Sequence, residues 1–449
     1  MKERKKTKKQ TQRRGVSAGT LAMLLLTMGV LISSVLFLTM IAGETLKSRA
    51  QDAAQMAQRA GLQLMSEAEG LLLRQEERRQ AESLSRRDAQ KRVSETSEPE
   101  TQPPVTITIA AAGTVHAPKA ITSGAERQGK EYKFDAVLSG LGDVLSKADL
   151  AIATLETATA GEKKGYGSYN APATLLDALR ASGVDVLSLG TEHALDMGYE
   201  GLEMTIAEVT ARGMAHTGAA LDGARENSAV GSIGGVQVAV LGYTYGLSDE
   251  GKAAASEQEQ EAIARLNMQR MEEDIRQARA EGANVVIVTA HWGTKNKQET
   301  PDELRRMAKA LAEAGADVIL GAHPNVVQGA ERLSVTRADG LEYEAVVCYS
   351  LGSLLTDART EENTAGMIVH LPITYDPNTR RISLGSYACS PVYTARQTED
   401  GKSVYRVVDV ENAQALATLS EAEQEAAQRA AALVREITGQ SKWEGEGEG

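Results

Sequence analysis

Cysteine is nearly absent. Two residues in 449 exclude a disulfide scaffold and any cysteine-rich zinc or iron–sulfur centre. Aromatic residues make up 4% of the chain, with two Phe and two Trp, so the stacking platforms that hold single-stranded nucleic acid are missing. Net positive charge is confined to the first fifteen residues. Lys2, Arg4, Lys5, Lys6, Lys8, Lys9, Arg13 and Arg14 stand there against one acid, Glu3, for +7; the total is −12, which leaves −19 on the rest. A body that acidic lacks the cationic face that phosphate neutralisation needs, which excludes nucleic acid as a partner. What is present is ordinary for a globular protein: 42% hydrophobic and 24% charged residues allow a sizeable core and rule out wholesale disorder. The length allows two or three domains.

The N-terminal hundred residues read as a membrane anchor and its spacer. No charge occurs from Gly15 to Gly43, and the most apolar stretch, 20–42, would span roughly 35 Å as a helix. That exceeds a hydrocarbon core of about 30 Å. It is too long for the core of a cleaved signal peptide, and no clear small-x-small cleavage site comes after it. Residues 16–43 are therefore expected to be a single-pass signal anchor in the cell membrane. The basic tail 1–15 would stay cytoplasmic and the bulk of the chain would lie outside. Residues 44–93 are polar and Ala- and Glu-rich, with a weak heptad in Leu46, Ala53 and Ala60 and in Ala50, Ala57, Leu64 and Leu71. A helical stalk fits, while Ala seams bury too little area to demand a coiled coil. Residues 94–104, rich in Ser, Thr, Glu and Pro, read as a linker.

From residue 105 short β-branched runs alternate with amphipathic stretches, the signature of an α/β fold. Strands are expected at 105–112, 150–155, 184–189, 236–243, 284–290, 318–321, 345–351 and 367–374. Helices are expected at 134–147, 173–182, 199–212, 262–281 and 301–314. For the last of these, Thr300 is a candidate cap, Pro301 suits the first helical position and Gly315 the stop. The later strands, with one more near 381–387, lack intervening helices and should be antiparallel or mixed. This domain is expected to run over 105–395. Residues 396–449 would then hold a C-terminal helix near 411–437 and a disordered Glu-Gly tail. Cys348 and Cys389 lie in or beside strands and could pair or remain two buried thiols.

Four of the six histidines come directly after a predicted strand: His116, His193, His291 and His323. Glu156 and Glu192 share that placement. Ligands of open α/β sheets bind outside the carboxyl ends of strands. Imidazoles and carboxylates converging there make a metal site or an acid/base site. Asn325 lies two residues after His323 in a Pro-containing loop. Asp196, three after His193, is either a catalytic partner or the cap of the next helix.

Several segments carry a resemblance: His193-Ala-Leu-Asp196-Met-Gly198, His291-Trp-Gly293, the stretch from Gly315 through Gly321-Ala-His323-Pro324-Asn325 to Gln328, and Tyr349-Ser-Leu-Gly352. In order and spacing the chain resembles the CapA-type poly-γ-glutamate capsule biosynthesis proteins, a branch of the calcineurin-like metallophosphatase superfamily. The resemblance implies an α/β, metallophosphatase-like β-sandwich flanked by helices, here preceded by a transmembrane helix and helical stalk. It also implies a divalent metal, Mn, Fe or Zn. The expected ligands are Glu156, Glu192, His193, His291 and His323, with His116 and Asn325 at the periphery. His193 and Asp196 are the expected catalytic pair.

The sequence departs from the family pattern in six motifs. Thr114 replaces the metal-bridging Asp, and Thr154 and Thr191 replace Asn. Glu192 stands for another Asn, Asn325 for His, and Ser353 for Asn. Lys295, Asn296 and Lys297 come after His-Trp-Gly where an acid is usual. A neutral hydroxyl is a poor bridge between two cations.

Three readings stay open. One is an anchored extracytoplasmic protein of capsule or envelope assembly, with a degenerate metal site and a binding or scaffolding role. Its partners would be the membrane and an envelope polymer or its synthesis machinery, with Lys163, Lys164, Lys295 and Lys297 as a cationic patch. The second is an active metal-dependent hydrolase of phosphoester or amide bonds. The third is a stalked protein that oligomerises through 44–98.

Overall fold

The computed structural model describes residues 102–127, 131–221 and 228–439. The basic tail, the expected anchor 16–43, the stalk and the Glu-Gly tail lie outside the described residues. No helix among the described residues is long and apolar enough to cross a membrane.

Two sheets face each other. The larger one runs, edge to edge, Lys402–Asp409, Ala388–Glu399, Ala365–Asp376, Val105–Val115, Leu150–Leu155, Val186–Ser188 and Ala215–Thr217, with Ser353–Leu355 and Arg381–Leu384 attached at its side. Its last four strands are mutually parallel and its first three antiparallel. The smaller sheet runs Ala330–Thr336, Glu342–Cys348, Val318–Ala322, Val285–His291, Val236–Thr244 and Ser228–Ile233. Its four central strands are parallel and both edges antiparallel.

Period-two alternation buries both faces of each sheet. In Val105–Val115, Ile107, Ile109 and Ala111 face the second sheet, where they meet Val238, Val240, Ile287 and Leu320. Ala110 and Ala112 face outward, toward Leu175, Leu179, Leu202 and Val209 of helices Thr174–Ala181 and Gly198–Ala211. The smaller sheet turns Leu241, Val286, Val288 and Ile319 onto Met271, Ile275, Leu304 and Leu311 of helices Met268–Ala280 and Asp302–Ala314. The result is a sandwich with helices on both outer faces. Helix Glu421–Thr438 adds Ala427, Ala430, Ala431 and Val434 to the core between the sheets. Cys348 and Cys389 are buried there as free thiols.

At one end the sheets are pinched together through glycine. Gly218 has φ +85°, and a Cβ there would meet the Gly190 nitrogen at 2.3 Å; one on Gly242 would come 2.9 Å from the Gly218 Cα. Gly190 and Gly218 lie just beyond strands of the larger sheet and Gly242 lies in the smaller one, so these residues close the end at which the strand-tip side chains meet.

Several local expectations are corrected. Only Asp135–Leu138 of the 134–147 stretch is α-helix; Gly140 bridges Val408, and its backbone is packed so closely that a Cβ would meet the Val407 oxygen at 2.5 Å. The helix expected from 262 begins at Met268, capped by Asn267. Residues 262–266 are drawn out instead, with Ala264 donating to the Gly218 oxygen at 3.1 Å and Leu266 to the Thr244 oxygen at 2.8 Å. Pro301, not Thr300, is the cap residue of Asp302–Ala314, and no side chain caps it. Asp302 and Glu303 in the first turn complement the dipole instead. The 411–437 helix is two, Ala413–Leu416 and Glu421–Thr438. Residues 396–409, expected to lie outside the domain with that helix, belong to the main sheet.

Candidate metal centre

Each side chain of the site sits at the carboxyl end of a parallel strand, where the backbone leaves the sheet and the ladder hydrogen bonds cease to dictate its path. Glu156 lies just beyond Leu150–Leu155, Glu192 and His193 beyond Val186–Ser188, Tyr245 beyond Val236–Thr244, and His323 beyond Val318–Ala322, while His291 ends Val285–His291. His323 is held at φ +93°, a region that costs a non-glycine residue of order 1–3 kcal/mol. Just before this turn Gly321 lets the backbone of Tyr349 come close, since a Cβ there would meet the Tyr349 oxygen at 1.8 Å.

The five predicted donors converge. His323 Nδ1 lies 3.2 Å from His291 Nε2, His291 Nε2 3.7 Å from Glu156 Oε1, and His193 Nε2 3.2 Å from Glu192 Oε1. His323 Nδ1 is 3.5 Å from the same Glu192 oxygen. Two donor groups result, Glu192–His291–His323 and Glu156–Glu192–His193, and Glu192 belongs to both. All five residues are buried. Glu156 Oε1 is buried and makes no hydrogen bond, so a carboxylate electron pair is left without a partner inside the cluster. Bonds of about 2.1 Å meeting at tetrahedral or octahedral angles hold donor atoms roughly 3.0–3.4 Å apart. The observed separations are close to that, and imidazole with carboxylate suits first-row divalent ions. The donor set therefore fits a cation.

The surroundings fix the charge states. Burial alone would raise the Glu192 carboxyl. Bonds from His193, His323, Lys295 and Tyr245 overturn that and hold it well below the usual carboxylate range. Burial would lower His193, but hydrogen bonds to Asp196 and Glu192 push it up to about 9. Burial, with His323 beside it, pushes His291 well below its ordinary value, so its ring is neutral and its electron pair available. Asp196 Oδ2 is 2.7 Å from His193 Nδ1, and its other oxygen accepts from Ser248 Oγ. The Asp196 carboxylate is therefore not a helix cap; Met197 holds that position in Gly198–Ala211, with no side-chain cap.

Residues 108–358, more than half of the chain, match the family described as bacterial capsule synthesis protein PGA_cap. The chain belongs to that family. Among curated relatives it is 29% identical over 174 residues to the PGA biosynthesis protein CapA of Bacillus subtilis (strain 168), covering 38% of this chain and 42% of the relative. It is 26% identical over 237 residues to the capsule biosynthesis protein CapA of Bacillus anthracis, covering 50% and 55%. The chain thus spans about half the length of the curated relatives it matches. Solved structures with distant likeness include the calcineurin-like phosphoesterase YfkN from Bacillus subtilis (13% identity, 74% of this chain and 99% of that one, TM-score 0.35). Another is a phosphatase from Mycoplasma pneumoniae (13%, 64% and 94%, TM-score 0.37).

Within this PGA_cap domain two predicted residues remain. Asn325 is half-buried at φ +58°, and its backbone carbonyl accepts from Asn363 Nδ2 at 3.1 Å. His116 is screened by Tyr169, whose ring stacks on His116 at 4.9 Å and on His193 at 3.4 Å. His116 Nε2 instead lies 3.0 Å from the Ser168 oxygen. Of the four lysines of the expected patch, Lys164 pairs with Glu200 at 2.9 Å and Lys295 with Glu192 at 2.6 Å.

Sequence reasoning passed over Tyr245, whose hydroxyl donates to Glu192 Oε2. It comes after a strand as the histidines do, and the same rule would have found it. Tyr169 gave no such signal; it rides a loop that Asn170 pins by donating to the carbonyls of Gly161 and Gly165 at 3.0 and 2.8 Å.

Proposed function

We propose that this PGA_cap-family chain acts outside the cell membrane in the assembly or retention of an anionic envelope polymer such as poly-γ-glutamate. In this reading it is anchored by residues 16–43 and uses its His–Glu cluster to hold one divalent cation in a binding role. The observation that carries the reading is Glu192. It is shared by both donor groups, while neutral Thr114 stands where the resemblance places a second shared carboxylate. The five buried donors are enough to fill the shell of one four-coordinate cation and too few for two. The family's description and the relatives' names support the capsule role. Charge supports the cation, because a body of −19 repels a polyanion unless a positive centre intervenes. Such a centre would open to solvent at Tyr245, 48% exposed, and at Lys295, whose side chain is 41% exposed.

The test is complementation. Deleting the gene should lower the polymer bound at the cell surface. Wild type should restore it, and Glu192→Gln should not. Unchanged polymer on deletion overturns the reading.

A second reading, a hydrolase, is favoured by the chain from Ser248 through Asp196 to His193. There Asp196 would orient the ring and His193 Nε2 would move a proton to or from the reacting group. A bound cation would supply polarisation of the scissile group. Metal-dependent cleavage of a phosphodiester by the purified protein, lost in His193→Asn together with complementation, would establish it.

A further inference from the structure

Lys295 is a residue whose type runs against its setting, a basic side chain beside a nest of imidazoles. It lies in the loop after Val285–His291, where Gly293 at φ +88° and Asn296 at φ +59° turn the chain. That loop is fixed from three sides. Asn296 donates to the Pro324 oxygen at 2.8 Å, Asn363 Nδ2 to Asn296 Oδ1 at 2.8 Å, and Gln328 Nε2 to the Lys297 oxygen at 2.7 Å. From this fixed base the ammonium reaches Glu192 Oε1 at 2.6 Å. That oxygen also faces His193 Nε2 and His323 Nδ1. Of the groups touching Glu192, Lys295 alone brings an aliphatic ammonium on a long, unbranched stem.

We propose that Lys295 is an intrinsic cation that holds Glu192 when no metal is bound and must leave it when one binds, so that this residue sets how tightly the site takes a divalent ion. The inference rests on the cation-binding reading of the same cluster. A divalent ion bound to the Glu192 oxygen and an ammonium 2.6 Å from that oxygen would repel each other at such close range. Metal entry therefore exchanges one cation for another and loses a charge-assisted bond. The exchange is open to Lys295 because its side chain is 41% exposed and its unbranched stem can swing the ammonium into water. Without metal, Lys295 supplies the counter-charge that a buried carboxylate needs.

The test compares full-length wild type with Lys295→Met, and with Lys295→Gln as a second, polar replacement that guards against misfolding of the first. Binding of Mn²⁺ and Zn²⁺ is measured by titration calorimetry, and melting is measured in chelator and in saturating Zn²⁺. Both variants should bind about tenfold or more tightly than wild type, the order expected from the loss of one charge-assisted bond. Both should melt below wild type in chelator and recover in Zn²⁺. Equal or weaker binding in the variants, or melting in chelator identical to wild type, overturns the role of Lys295. Absence of binding in all three proteins removes the cation site itself, and with it both readings, whereas equal binding in all three removes only the exchange.

Discussion

Asp196 Oδ2 holds His193 Nδ1 at 2.7 Å, and through that bond fixes which ring nitrogen points at Glu192. With Nδ1 committed to a carboxylate, Nε2 is the atom presented to the cluster. A carboxylate behind a histidine is the usual way that a ligand ring is oriented and made more basic.

Asp196→Asn should leave the fold intact and weaken Mn²⁺ or Zn²⁺ binding about 10- to 100-fold, the usual cost of losing such a partner. Titration calorimetry on the two proteins measures it. Affinity equal to wild type would remove the positioning role.

The glycine pinch should be intolerant. Gly218→Ala places a Cβ 2.3 Å from the Gly190 nitrogen on a backbone at φ +85°. Disfavoured φ and overpacking together should cost about 2–5 kcal/mol. Denaturant unfolding reads the loss directly, and a change below about 1 kcal/mol would show that the sheets separate more easily than the contact distances indicate.

Much of this was legible in the sequence, and the rest was hidden for identifiable reasons. The parallel strands announce themselves as short β-branched runs because both of their faces are buried. The five donors announce themselves because each lies at or just beyond the end of such a strand. What tertiary contact decides was not legible. Gly140 stops a helix because Val407 and Val408 crowd it, and residues 262–266 are pulled straight by Gly218 and Thr244. His323 and Asn325 share a loop in which both take positive φ, a backbone path that spacing alone does not encode. Lys295 reads as a solvated loop lysine until the loop that carries it is seen fixed against Pro324 and Gln328.

His370 gives the protein a weakness to acid. It is buried in strand Ala365–Asp376, and burial pushes it down to about 4. The unfolded chain, with an ordinary value near 6.5, then binds the extra proton first. The stability this residue contributes is present above about pH 6.5 and lost as pH falls toward about 4, by up to about 3 kcal/mol. Replacement by a group that does not titrate removes that contribution. The difference in unfolding free energy between wild type and His370→Leu should therefore shift in favour of the variant between pH 6.5 and 4. A pH-independent difference contradicts it.

The central claim is that Glu192 gathers the buried donors into a site for one cation. Full-length protein and Glu192→Gln, each equilibrated with Mn²⁺ or Zn²⁺ and analysed for bound metal by elemental analysis, test it most directly. The account predicts one equivalent per wild-type chain and none in Glu192→Gln. A wild-type chain without metal, or equal occupancy in the two proteins, would contradict it.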